Sequence, residues 1–400
     1  MRPVQDKVMV LHDIFSKKYD MTIIMTMLVI ATCGSLMQIT GTSWDVTSHI
    51  MEEPETFFTP SHTVLYAGVG LLTVAAGTGV ILLIRSNELR ARPIATPLKL
   101  LVMGSTISLV AGPFDFLWHE TFGVDGLLSP PHLALITGML INAVATVLGL
   151  ARIAVRITSH SRQRLIKATM VPAFAALWFT TTWYVYMFSL PFSNGENFQF
   201  NLDPNIASLI AIVTLPMLSS IIFLTASKSI GRFGAGTIVS AMVVGINIFT
   251  NIIPSQSMLN SILPWYSIIT ILPALIADIV LYSSPIKSKL GLRATELIAG
   301  ILVSSVFYIF NYPMLTWAFA IPFDMPIANQ QGMQAIANLT SNFLSTLPVI
   351  LSITLVPAAL MGLLGALLVS KKMAIPILQK KQLQPSEFIL QDKRGMRKRI

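Results

Sequence analysis

Six residues stand at matching positions in two stretches of the chain, and all six are of types that bind metal ions. Asp45, His49 and His62 spell Asp-x3-His-x12-His, and Asp115, His119 and His132 spell it again, each displaced by 70 positions. Four of the six histidines of the chain occupy these slots. Residues at i and i+4 share a helix face, so Asp45 with His49, and Asp115 with His119, each offer a carboxylate and an imidazole to one point. The third donor has to come from elsewhere. His62 and His132 each follow a proline at the start of the next apolar run, where proline suits the first helical turn, and a short loop can return that imidazole to the first pair. Two histidines and one carboxylate suit copper, zinc or iron; the same set is the facial triad of non-haem iron enzymes, so the donors alone leave the metal open.

The elements that must position these residues are membrane spans. Of the 400 residues 54% are hydrophobic and only 11% charged, against about 25% charged in soluble proteins. Apolar runs of roughly 20 residues, enough to cross a hydrocarbon core, lie near 21–42, 62–84, 96–117, 132–155, 167–190, 205–227, 233–252, 260–283, 295–318 and 344–370. The expected fold is all-α, a polytopic membrane helical bundle of about ten transmembrane helices. A period of 70 residues matches one pair of spans, so both triplets fall on one side of the membrane as a hairpin repeat requires. Gly68 and Gly138 keep the same offset.

The net charge of +9 is not a nucleic-acid signature, because the basic residues alternate with the spans as the positive-inside bias demands. Lys and Arg occupy the N-terminal segment, the loops 85–99, 152–167, 228–232 and 287–293, and the segment from Lys371 to Arg399, while 43–61, 118–131, 191–204, 253–259 and 319–343 hold none. This predicts cytoplasmic N and C termini, a multi-pass protein of the cell membrane and triplets on the extracytoplasmic side. Membrane lipid is an expected partner, and the run Lys393, Arg394, Arg397, Lys398 and Arg399 is placed to meet anionic headgroups or simply to fix topology. The first apolar run is expected to serve as an uncleaved anchor. Cys33 is the only cysteine, which excludes an intramolecular disulfide and a cysteine-built zinc or iron–sulfur site.

The stretch Phe58-Thr59-Pro60-Ser61-His62, preceded by Asp45-x3-His49, resembles the first copper motif in the C subunit of the copper-dependent membrane monooxygenases, the family of particulate methane monooxygenase and ammonia monooxygenase. The resemblance implies that Asp45, His49 and His62 are copper ligands. Trp118-His119 and His132 map onto the family's second motif, where asparagine usually stands in place of Asp115; an aspartate keeps a ligand-capable oxygen there. Glu120 and Asp125 stand for the family's acidic residues between the second histidines, in a different arrangement. The resemblance spans about residues 20–155 and divides the chain into a C-subunit-like membrane region, 1–165, and a further six-helix membrane region with a basic tail, 166–400. In the family the C subunit works with A and B subunits, the latter with soluble cupredoxin domains, and nothing of that kind is present in this chain. The resemblance therefore implies partner membrane subunits, a small-molecule substrate such as ammonia or a hydrocarbon, and a part in a copper-dependent oxidoreductase.

Other readings of the residues remain open. A metal-ion transporter or metal-delivery protein would take the triplets as an entry site and Asp278, the one acid well inside an apolar run, as a deeper one; a hydrogen-bonded Asp278 is the plainer alternative. Glu52, Glu53 and Glu55 would draw cations to the entrance or be solvated. Glu296 sits where a helix start favours negative charge. His12 and His160 fall on the side away from the triplets, and the 20 methionines are spread as packing residues rather than as a copper path. A metal-independent structural or assembly subunit is the third reading. Phosphate loops, nucleophile triads and zinc-protease motifs do not occur.

Overall fold

The computed structural model describes residues 2–50, 54, 56–123, 128–189, 204–252, 259–319, 348 and 352–370, with side chains described within 21–48, 54, 56–123, 128–188, 210, 213–250, 270–310, 348 and 352–370. Every regular element among the described residues is α-helical. In chain order these are α1 (Arg2–Ile50), α2 (Pro60–Arg85), α3 (Asn87–Ala91), α4 (Ala95–Phe122), α5 (Pro130–Ala154), α6 (His160–Ser189), α7 (Pro204–Ile230), α8 (Ala235–Ile252), α9 (Leu259–Tyr282), α10 (Ser284–Phe319) and α11 (Ser352–Ser370). Among the described residues eight helices are long and apolar enough to cross a membrane, and α8 and α9 add shorter apolar stretches at Ala235–Thr250 and Thr270–Tyr282. The chain is a polytopic helical membrane bundle; nine of the ten apolar runs of the sequence fall on α1, α2 and α4–α10, and the tenth falls on α11 over its described part, 352–370.

Helix ends follow local chemistry. Proline opens both α2 and α5, where its missing N–H has no partner to lose. Gly123, at φ 77°, closes α4 with its amide on the His119 carbonyl, a left-handed position that suits glycine. Two spans run on at their C-terminal ends well past the sequence expectation. α1 continues past residue 42 to Ile50 and α4 past 117 to Phe122, because the polar residues there fold back onto the helix: Thr47 donates to the Ser43 carbonyl and Thr121 to that of Leu117, at 2.9 and 2.7 Å. In α10 the helix is interrupted at Gly291, φ 77°.

The helices pack as hairpins. α1 pairs with α2, α4 with α5, and α2 lies against α4; α1 also meets α5, α6 and α8, and α10 meets α7 and α9. Backbones touch at paired glycines. A Cβ on Gly34 would stand 2.9 Å from the Gly68 carbonyl oxygen, and one on Gly104 would stand 2.8 Å from that of Gly138. These contacts are 70 residues apart in both members, so the sequence repeat is a repeat of helix crossings. Gly300 on α10 and Gly362 on α11 make a third such contact. Among α6, α7 and α10, Trp178 packs between Phe223, tilted at 4.7 Å, and Phe307, edge-to-face at 5.4 Å, all three fully buried. α1 is tied to α8 by hydroxyls: Ser43 Oγ donates to Asn247 Oδ1 and meets Thr250 Oγ1, each at 2.8 Å.

Candidate metal centre

The structure brings Asp115, His119 and His132 together. Asp115 and His119 project from the last two turns of α4, and His132 from the first turn of α5, whose opening is fixed by Pro130 and by Ser129, which accepts from the His132 amide. Asp115 Oδ1 lies 3.2 Å from His132 Nε2 and 3.7 Å from His119 Nε2, and the two Nε2 atoms are 3.3 Å apart. A point equidistant from three atoms so spaced is about 2.0 Å from each, the length of a zinc–nitrogen or zinc–oxygen bond. The group could hold a metal ion.

The donor chemistry points the same way. His119 Nδ1 is 3.2 Å from the Gly123 carbonyl oxygen; a carbonyl only accepts, so Nδ1 carries the hydrogen and, in the neutral ring, Nε2 presents a bare lone pair inward. That carbonyl is the outer partner that metal-bound imidazoles normally have. Asp115 Oδ1 is buried and makes no hydrogen bond among the described residues, as does His132 Nδ1 on the far side of its ring. Acceptors facing one another in a buried place require a shared proton or a cation between them.

The first triplet has the same plan with one member undescribed. His62 Nε2 lies 3.0 Å from Asp45 Oδ1, bridging α1 and α2, and His62 Nδ1 donates to the Thr56 carbonyl at 3.0 Å. His62 is 3% exposed, so its partners are protein rather than water. The two copies differ in that Ser61 Oγ donates to Asp45 Oδ1 at 2.9 Å, whereas Pro131 occupies the position 70 residues on and has no hydroxyl. The side chain of His49 lies outside the described residues, although its backbone is in α1 one turn beyond Asp45. Rings join the two sites: Phe57 packs on Tyr66 at 4.9 Å and on Phe116 at 5.1 Å, and Tyr66 lies 5.6 Å from His62.

Other candidates fall elsewhere. Asp278 on α9 is fully buried and caps α8 from outside: it accepts from the amides of Gly236 and Thr237 at 3.2 and 2.8 Å, from Thr237 Oγ1 at 2.7 Å and from Ser227 Oγ. Four donors saturate the carboxylate, the hydrogen-bonded alternative of the sequence reading, and they leave no lone pair directed at an ion path. Glu296 is paired with Lys228 at 2.7 Å. Glu120 and His160 are exposed. Glu52, Glu53, Glu55, Asp125, the basic run 393–399 and the side chain of His12 lie outside the described residues. The Thr56 and Gly123 carbonyls escape a reading of side-chain types; the one signal for the latter is a glycine placed to end a helix four residues after His119.

Comparison of the chain with protein-family models, with curated proteins and with solved structures returns no match. The site therefore rests on its own geometry.

Proposed function

We propose that this chain is a copper-binding membrane protein of the kind exemplified by the C subunit of copper-dependent membrane monooxygenases, holding copper in the triads Asp45, His49, His62 and Asp115, His119, His132. The observation that carries the reading is the triangle formed by Asp115 Oδ1, His119 Nε2 and His132 Nε2, with edges of 3.2, 3.3 and 3.7 Å. Copper supplies redox chemistry toward O2 when bound, and imidazole with carboxylate suits it as well as zinc or iron. The residues of the chain fix two imidazoles by their carbonyl bonds, set one negative charge against the cation and keep the donors largely out of water. In this reading the triads face the extracytoplasmic side and partner membrane subunits complete a complex that oxidises a small molecule. The saturated Asp278 does not favour the transport alternative, which needs a second cation stop within the bundle.

Elemental analysis of purified protein beside Asp115→Ala/His119→Ala and Asp45→Ala/His49→Ala tests this. Copper near stoichiometry, reduced in each double variant, is the expected result. Zinc or iron in its place overturns the copper assignment, and no metal above background overturns the metal reading as a whole.

A further inference from the structure

The helices that carry the triads have a second feature at their other ends. Where α1 enters the bundle, α3 joins α2 to α4, and α5 finishes, the structure forms a small cavity open on one side, of about 40 Å3. Three guanidinium groups line it, those of Arg92, Arg152 and Arg156, against the single carboxylate of Glu88. Arg92 pairs with Glu88 and Arg152 donates to the Pro93 carbonyl, whereas Arg156 has no hydrogen-bond or ion-pair partner among the described residues. The wall thus carries an excess of two positive charges, one of them uncommitted. Its floor is apolar, formed by the buried Ile24 and Ile153.

The position selects the ligand. α2 runs from His62 near its start to Arg85 at its end, and α5 from His132 to Arg152, so the cavity lies a full span away from the triads. Ile24 stands in the first turn of the apolar part of α1, which begins at Met21. An arginine-lined recess directly above apolar side chains at that level lies where hydrocarbon gives way to headgroups, and basic pockets between membrane helices on such a face take phosphorylated headgroups. A guanidinium matches two phosphate oxygens at once, and its stem packs on apolar surface while the charge reaches the boundary.

We propose that this cavity is a binding site for the headgroup phosphate of an anionic phospholipid, held by Arg92, Arg152 and Arg156, with the acyl chains of the lipid outside the cavity. The site is independent of the metal reading, since no residue is shared with the triads. The test incubates the full-length protein in neutral detergent with phosphatidylglycerol or phosphatidylcholine and measures retained lipid by native mass spectrometry. Phosphatidylglycerol is expected to be retained over phosphatidylcholine. Arg156→Gln, at an exposed position, is expected to weaken its binding roughly fivefold, and Arg92→Gln/Arg156→Gln roughly 25-fold, with metal content unchanged. Equal retention of the two lipids, or wild-type retention by the double variant, overturns the proposal. Displacement of phosphatidylglycerol by inorganic phosphate at tens of millimolar overturns it in favour of a soluble anion.

Discussion

Gly138→Ala tests whether the glycine crossing sets the geometry of the metal triad. A Cβ at this position would stand 2.5 Å from Ser108 Oγ, 2.8 Å from the Gly104 carbonyl oxygen and 2.9 Å from the Ser108 amide nitrogen. The hydroxyl can rotate away, but two of the three contacts are backbone. Restoring an ordinary contact of 3.4 Å requires α5 to withdraw from α4 by about 0.6 Å, since a close-packed interior has no slack to absorb it. His132 lies six residues earlier on α5, about 9 Å along the same rod, and moves with it. Its Nε2 is 3.2 and 3.3 Å from the other two donors, while metal–ligand distances tolerate roughly 0.2 Å. The expected outcome is a loss of metal affinity of about tenfold or more, with overpacking lowering stability by about 1–3 kcal/mol. Metal titration and thermal unfolding of the purified protein in detergent measure both. Gly70→Ala and Gly77→Ala serve as controls, because a Cβ there meets nothing within 4 Å; each is expected to be neutral or to stabilise its helix by up to about 1 kcal/mol. A Gly138→Ala protein that melts and binds metal like the wild type would refute the coupling of crossing to site.

Three further outcomes follow from other contacts. Metal added at 100 times its dissociation constant should stabilise the fold by about 2.7 kcal/mol, seen as a rise in Tm that His119→Ala diminishes. Asp278→Ala should destabilise more than Asp278→Asn, by about 1–3 kcal/mol for each buried donor left unmet, with metal content unchanged; thermal unfolding beside elemental analysis separates the two effects. Breaking the largely buried pair of Lys228 and Glu296 from one side, as Lys228→Met or Glu296→Gln, should cost up to about 3–5 kcal/mol, less to the extent that water reaches Lys228. The double variant should recover part of that loss, a comparison that denaturant titration of the three proteins makes directly.

The parts of the molecule that could be read in the sequence are those whose physics is local. Apolar runs announce spans because the bilayer demands a fixed length, and Asp115 with His119 announces a shared face because four residues make about one helical turn. The contribution of His132 was readable for the same reason, as proline marks where the next helix begins. What was hidden depends on pairs remote in the chain. Gly68 and Gly138 show as a repeat, but their partners Gly34 and Gly104 look like any small residue in an apolar run until the helices cross. Asp278 reads as an isolated acid; the helix start that it caps is some forty positions away, and no spacing rule connects them. Ser43 with Asn247 and Thr250 is of the same kind. The overrun of α1 and α4 beyond their apolar runs was missed because hydropathy falls before helicity does, the hydroxyls of Thr47 and Thr121 carrying the backbone on.

The hydroxyl tie between Ser43 and α8 has a practical side. α1 supplies Asp45 on one flank and, two residues earlier, anchors onto a helix encoded some 200 positions later. Expressing residues 1–165 by themselves would strip α1 of its neighbours α6 and α8 and turn that flank toward lipid, with Ser43 deprived of both partners. A laboratory seeking a minimal metal-binding fragment should therefore co-express the two portions, or graft apolar residues onto the orphaned flank, instead of simply cutting the gene.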